Sequence, residues 1–186
     1  GNESLRSVMI PDTITVIGDN AFLNCYNLSE ITLSKNLLTI GKASFRNCES
    51  LTNIWIPKSL NNIDVFFYNT THGPFDGCIN LTTVEFEENI TKIPADLFNS
   101  CEGIKSVSIP ITVTEIGTAA FARCTNLVSV EIPDSVKYID DYAFEDCPNL
   151  SSINLPPYLV AIGAGAFKKC LSIKKEVPML DIEGRR

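Results

Sequence analysis

Ile132-Pro133-Asp134-Ser135-Val136-Lys137-Tyr138-Ile139-Asp140-Asp141-Tyr142-Ala143-Phe144-Glu145-Asp146-Cys147 is the stretch that decides the fold, because it recurs. The next copy runs from Leu155-Pro156 to Ala166-Phe167-Lys168-Lys169-Cys170. Each copy ends on a cysteine, and all seven cysteines of the chain keep this beat: Cys25, Cys48, Cys78, Cys101, Cys124, Cys147 and Cys170. The intervals are 23, 30, 23, 23, 23 and 23 residues. A fixed period of 20–50 residues is the mark of a solenoid or array and outranks any local motif.

Aligned on the cysteines, the other apolar residues fall into columns. Phenylalanine stands three residues before each one, at Phe22, Phe45, Phe75, Phe98, Phe121, Phe144 and Phe167. Leucine or isoleucine stands three after, from Leu28 to Ile173, and apolar residues at six and eight after alternate with polar ones, as in Val130 and Ile132. That alternation is strand spacing. A proline often follows, as at Pro57, Pro110 and Pro133, where a ladder should end. An isoleucine then recurs at Ile17, Ile40, Ile63, Ile93, Ile116, Ile139 and Ile162. Phe and Cys at i and i+3 share one face of a short helical turn. Gly18, Gly41, Gly117 and Gly163 precede that turn, with Asp64 and Asp140 standing in, which suggests left-handed backbone there; Pro94 is an exception.

One such unit cannot bury its apolar residues alone, whereas stacked copies share a continuous core. The unit resembles the leucine-rich repeat of the BspA-like, or Treponema, type, I-P-x-S-V-x-x-I-G-x-x-A-F-x-x-C-x-x-L-x-x-V, over about residues 5–173. The resemblance implies an α/β fold: a right-handed leucine-rich-repeat solenoid with a concave parallel sheet of about seven short strands and a convex side of short helical or 3₁₀ turns. It also implies export or display on a cell surface, with roles in adhesion or host contact. The expected organisation is a single array over 1–173, with a partial first repeat and a seven-residue insertion at about 64–74, followed by a tail or crude cap over 174–186. Within that tail Ile182-Glu183-Gly184-Arg185 resembles a protease-site scar and could equally be natural, so it is set aside from functional reasoning. Leu5 to Pro11 already reads as part of a repeat, so any targeting segment is expected to have been removed upstream.

Composition narrows the function classes. The chain has 186 residues, is 45% hydrophobic and carries a net charge of −7, with mean hydropathy +0.12 and a pI near 4.7. Only Lys168-Lys169 and Lys174-Lys175 form basic runs, which argues against nucleic acid and anionic lipid. No stretch approaches the length of a membrane helix, so membrane insertion is not expected.

The cysteines read as buried hydrophobes lining a core, with disulfides or a metal as the rival reading. No C-x-x-C pair exists and their number is odd, so neither metal nor cofactor is expected. The one histidine, His72, lies in the insertion and reads as a surface loop residue. No phosphate loop, zinc-protease helix or dinucleotide fingerprint occurs, and the chain is read as no enzyme.

Two candidate contact regions remain. The insertion carries Phe66, Phe67 and Tyr68, three consecutive aromatics that either mark a contact or fold back over their own repeat. Strand residues that alternate with the buried pair should face outward: Ser7 and Met9, Glu30 and Thr32, Asn53 and Trp55, Thr83 and Glu85, Ser106 and Ser108, Ser129 and Glu131, Ser152 and Asn154. Trp55, the only tryptophan, is either an interaction anchor or a packing partner for Thr32. Six N-x-S/T sequons begin at Asn2, Asn27, Asn69, Asn80, Asn89 and Asn149, and glycosylation matters only in a secreting eukaryote. The expected function is a non-enzymatic interaction module, secreted or on the cell surface, that binds a protein or glycan through Trp55, Asn53, Glu30, Thr32, Thr83, Glu85, Phe66, Phe67 and Tyr68. The alternative is a structural spacer that displays another domain. Uncapped ends add an expectation of end-to-end self-association.

Overall fold

Each repeat folds into two short strands joined by tight turns. The computed structural model describes residues 1–60 and 72–173, with the backbone of 62–64. Phe66, Phe67 and Tyr68 of the insertion and the tail over 174–186 lie outside the described residues. In chain order the strands are β1 (Ser7–Met9), β2 (Val16–Ile17), β3 (Glu30–Thr32), β4 (Thr39–Gly41), β5 (Asn53–Ile56), β6 (Asn62–Asp64), β7 (Thr83–Phe86), β8 (Lys92–Ile93), β9 (Ser106–Ser108), β10 (Glu115–Ile116), β11 (Ser129–Glu131), β12 (Tyr138–Ile139), β13 (Ser152–Ile153) and β14 (Ala161–Ile162).

All ladders are parallel and join one repeat, or rung, to the next. The odd-numbered strands carry the alternating apolar pair and match the strands expected from the sequence, in ladders β1-β3, β5-β7 and β9-β11-β13. The even-numbered strands form a second series, β2-β4-β6 and β8-β10-β12-β14, in which Ile17, Ile40 and Ile63 are in register, as are Ile93, Ile116, Ile139 and Ile162. The expected sheet of about seven strands, one per repeat, does not include this second series. These strands are only two or three residues long and bury a single isoleucine each, too short to display alternation.

The expected helical turns on the convex side are not found: no helix occurs among the described residues. Backbone hydrogen bonding explains why. The amides of Tyr142, Phe144 and Asp146 donate to the carbonyls of Ala164, Ala166 and Lys168 in the next rung, at 3.0, 2.8 and 2.8 Å. The intervening amides of Ala143 and Glu145 donate three residues back, to Asp140 and Tyr142. A helix would need every amide for its own carbonyls, and here every second one leaves. Two left-handed residues per turn complete the break, at Tyr142 (φ 58°) and Asp146 (φ 59°), and likewise at Asn20 and Asn24 or Ala119 and Arg123.

The glycines before these turns are not the left-handed residues. They allow close backbone approach: a Cβ on Gly163 would lie 2.3 Å from the Asp141 nitrogen, and one on Gly117 would lie 2.7 Å from the Ala95 nitrogen. Gly18, in the first rung, would meet nothing, because no described rung precedes it. The glycine column is thus set by the neighbour and not by its own dihedral angle.

The core is a stack. Phe22, Phe45, Phe75, Phe98, Phe121, Phe144 and Phe167 form a continuous column of near-parallel rings, 5.0 to 5.9 Å apart. Beside it the cysteines, the leucines after them and the isoleucines of both strand series join one buried cluster. One step in the stack differs. Between Phe75 and Phe98 the rings are furthest apart, 5.9 Å with a 21° tilt. Both strand series are interrupted there, between β7 and β9 and between β6 and β8. One backbone bond crosses this step among the described residues, Gly77 to Ser100 at 3.4 Å, against three bonds of 2.7 to 3.0 Å from Ala119, Phe121 and Arg123 two rungs on.

Candidate functional site

The odd-numbered strands present a polar face whose residues are fixed by the alternation beneath them. In β5 Ile54 and Ile56 are buried, so Asn53 points to solvent and Trp55 stands half-buried beside it. Register pairs Asn53 with Thr83 and Trp55 with Glu85. Ser7 pairs with Glu30 and Met9 with Thr32 at the first rung, where Met9 is 76% exposed. Further on Ser108 pairs with Glu131, while Ser106, Ser129 and Ser152 form a hydroxyl row.

Six of the nine expected contact residues can be placed this way. Glu30, Thr32, Asn53, Trp55, Thr83 and Glu85 share one strand face, and Phe66, Phe67 and Tyr68 lie outside the described residues.

Elsewhere several carboxylates are matched by cations one rung away, while Asp12, Asp19 and Asp141 accept backbone amides of the next rung. Glu87 pairs with Lys58 at 3.1 Å, Glu145 with Lys168 at 2.9 Å, Asp146 with Lys169 at 3.3 Å, and Glu115 with Lys92. Asp76 takes both Arg46, at 2.9 Å, and His72 Nδ1, at 2.7 Å. His72 is therefore seated against a carboxylate at the edge of the insertion and is not a free loop residue. No charges were paired in the sequence reading; the 23-residue spacing of Lys92 with Glu115, Glu145 with Lys168 and Asp146 with Lys169 is the signal that could have found them, whereas the insertion displaces the phase of the Lys58–Glu87 pair and the Asp76 cluster. Hydrogen bonding to the Lys58 backbone amide holds Glu87 below the ordinary carboxylate range, and burial pushes Asp96 above it.

Most of the core cysteines are poor nucleophiles, while hydrogen bonding from Cys147 holds Cys170, in the last rung, below the usual thiol range. All seven are free and buried. Burial pushes the thiols of Cys48 and Cys124 up to about 12, so both are protonated at neutral pH. Each of Cys48, Cys78, Cys124, Cys147 and Cys170 donates its thiol to the carbonyl of the phenylalanine one rung back, at 3.0 to 3.4 Å. Among the described residues no group of three or more His, Cys, Asp or Glu side chains could hold a metal. A second ladder involves the asparagines two residues after the cysteines: Asn27, Asn80, Asn126 and Asn149 donate to Glu3, Glu49, Glu102 and Thr125 carbonyls at 2.8 to 2.9 Å. Three of the six sequons begin on this ladder, so their amides already serve the stack.

A family model described as BspA type leucine rich repeat region matches residues 1–73 and 72–179, in six copies. The chain belongs to the BspA-type leucine-rich repeat family. Solved structures similar to this BspA-type array include the T. pallidum leucine-rich repeat protein TpLRR, 30% identical with a TM-score of 0.72 over 92% of this chain and 79% of that one. A leucine-rich repeat protein from Eubacterium ventriosum is 28% identical, with a TM-score of 0.73 over 95% of this chain and 46% of that one. Another from Bacteroides ovatus is 29% identical, with a TM-score of 0.66 over 91% of this chain and 48% of that one. The BspA-type array thus spans about half the length of the last two. No curated protein matches.

Proposed function

We propose that this array is a non-enzymatic interaction module of a secreted or cell-surface protein, and that it binds a protein or glycan through the strand face around Trp55. The observation that carries this reading is Trp55 itself. It is the only tryptophan in the chain, it stands half-buried on the polar strand face in register with Glu85, and its side chain makes no hydrogen bond or ring contact among the described residues. Large aromatic side chains in such settings are frequent anchors of binding energy. Family membership supports a surface location, since BspA-type proteins are typically found there and the fold is generally non-enzymatic. No described helix is long and apolar enough to cross a membrane.

The test is binding of the intact array and of Trp55→Ala to immobilised extracellular proteins and to a glycan array, with melting curves to show that both fold. Loss of binding in the variant supports the site. Binding left unaltered by Trp55→Ala would show the site to be misplaced, and an intact array that binds nothing would favour a spacer.

A further inference from the structure

The strand face has one sign of charge. Its outward positions carry Glu30, Glu85 and Glu131 among Ser, Thr, Asn, Met and Trp residues, and no lysine or arginine. The three carboxylates are exposed and take no cation among the described residues, whereas Asp76, Glu87, Glu115, Glu145 and Asp146 on other faces all have one. Five carboxylates on other faces have a cation from a nearby residue, and this face supplies none. Trp55 lies in register with Glu85, so a ring face and a carboxylate adjoin at the one aromatic position. An ammonium or guanidinium is stabilised by both at once, through the quadrupole of the ring and the charge of the carboxylate.

Spacing adds a second constraint. Glu85 and Glu131 occupy the same strand position two rungs apart, with Ser108 between them in register with Glu131. The step from β7 to β9 is unpaired and its phenylalanine rings lie 5.9 Å apart, with 5.5 Å at the next step, so the two carboxylates are separated by about 10 Å or a little more along the stack, within reach of long cationic side chains. An extended polyproline II segment rises about 3.1 Å per residue with three residues per turn, so side chains three apart recur on one side every ~9.3 Å.

We propose that the occupant of this face is a cationic, extended peptide segment of a partner protein, with lysine or arginine at every third position. One cation sits over Trp55 beside Glu85 and the next at Glu131, while the small side chain of Ser108 leaves the intervening rung open to the peptide backbone. This assignment rests on the strand-face reading above and commits it to one ligand chemistry, excluding an uncharged glycan.

The experiment uses Trp55 fluorescence as the probe, since no other tryptophan contributes. The array is titrated with a proline-rich peptide carrying lysine at every third position, with the same peptide carrying glutamine instead, and with a peptide of equal composition whose lysines are adjacent. Saturable binding is expected for the first peptide, weakened by added salt and weakened about tenfold in the Glu85→Gln/Glu131→Gln variant. The glutamine peptide should not bind, and the adjacent-lysine peptide should bind more weakly. Failure of the first peptide to bind overturns the proposal, as does unchanged affinity in the double variant or equal affinity for the adjacent-lysine peptide. An array that ignores every lysine peptide yet binds a glycan or protein through Trp55 sinks this proposal and leaves the strand-face reading standing.

Discussion

The thiol of Cys124 donates to the carbonyl of Phe98, 3.2 Å away and one rung back. This bond ties the two most regular columns of the sequence to each other across rungs. It also uses a carbonyl that already accepts the amide of Cys101 within its own turn, at 3.1 Å. A carbonyl has two lone pairs, and the stack fills both. The cysteine column therefore has a hydrogen-bonding role as well as a packing one, and its chemistry follows from that.

Native protein should resist alkylation at neutral pH. All seven thiols are buried, and burial holds Cys48, Cys78, Cys101 and Cys124 protonated, Cys48 and Cys124 with values near 12. Mass spectrometry after brief exposure to iodoacetamide should find few or no labelled cysteines in the folded chain and all seven after denaturation. Rapid labelling of several thiols without unfolding would contradict the buried column.

Stability should fall in alkali. Unfolded thiols ionise near 9, while the folded thiols of Cys48 and Cys124 stay protonated to about 12. Between these values the unfolded chain binds fewer protons than the folded one, so unfolding becomes more favourable as pH rises. The contribution is fully present below pH 9 and is lost progressively up to about 12, at about 1.4 kcal/mol per thiol per pH unit. Urea unfolding at a series of pH values measures it; a Cys48→Ala/Cys124→Ala variant should show a shallower alkaline decline.

The phenylalanine column should be costly to interrupt. Phe121 is fully buried and stacks on Phe98 at 5.5 Å and on Phe144 at 5.4 Å. Phe121→Ala should destabilise the array by about 3–5 kcal/mol through lost burial and the cavity left behind. Phe121→Leu should cost clearly less. Chemical denaturation checks both, and a loss under about 1 kcal/mol for the alanine variant would contradict the packing.

Two substitutions should move stability in opposite directions at equivalent positions. Ala119 has φ 52° and Gly165 has φ 63°, each five residues before its cysteine. Ala119→Gly relieves a left-handed alanine and should stabilise by about 0.5–1 kcal/mol. Gly165→Ala adds a Cβ 2.7 Å from the Tyr142 ring on a left-handed backbone, and should destabilise by at least about 1 kcal/mol. Thermal melts of both variants read the pair.

The repeat length, the odd-numbered strands, the buried columns and the outward residues around Trp55 were legible because each is written in apolar spacing. The turns were not. Phe144 and Cys147 stand at helical spacing, yet the amide of Phe144 bonds to Ala166 in the next rung. A pattern within one repeat cannot report a bond to another. The left-handed residues were hidden for a related reason: Ala43, Ala119 and Tyr142 are not residue types that announce positive φ, and the stack holds them there. The glycine column was visible, but its cause was a neighbouring backbone and not a torsion.

The interrupted step between Phe75 and Phe98 gives the array a mechanical character that a uniform stack would lack. Beside the single Gly77–Ser100 backbone bond among the described residues, side chains carry this step, including Phe86, whose ring meets that of Phe98 edge-on at 6.3 Å. Under tension or mild denaturant the array should part here first, as a shear pin yields before the beams it joins, leaving two blocks that unravel separately. Glu85 lies in one block and Glu131 in the other. A partner lying across both would act as a splint, and occupancy of the strand face would be felt as stiffness along the whole molecule.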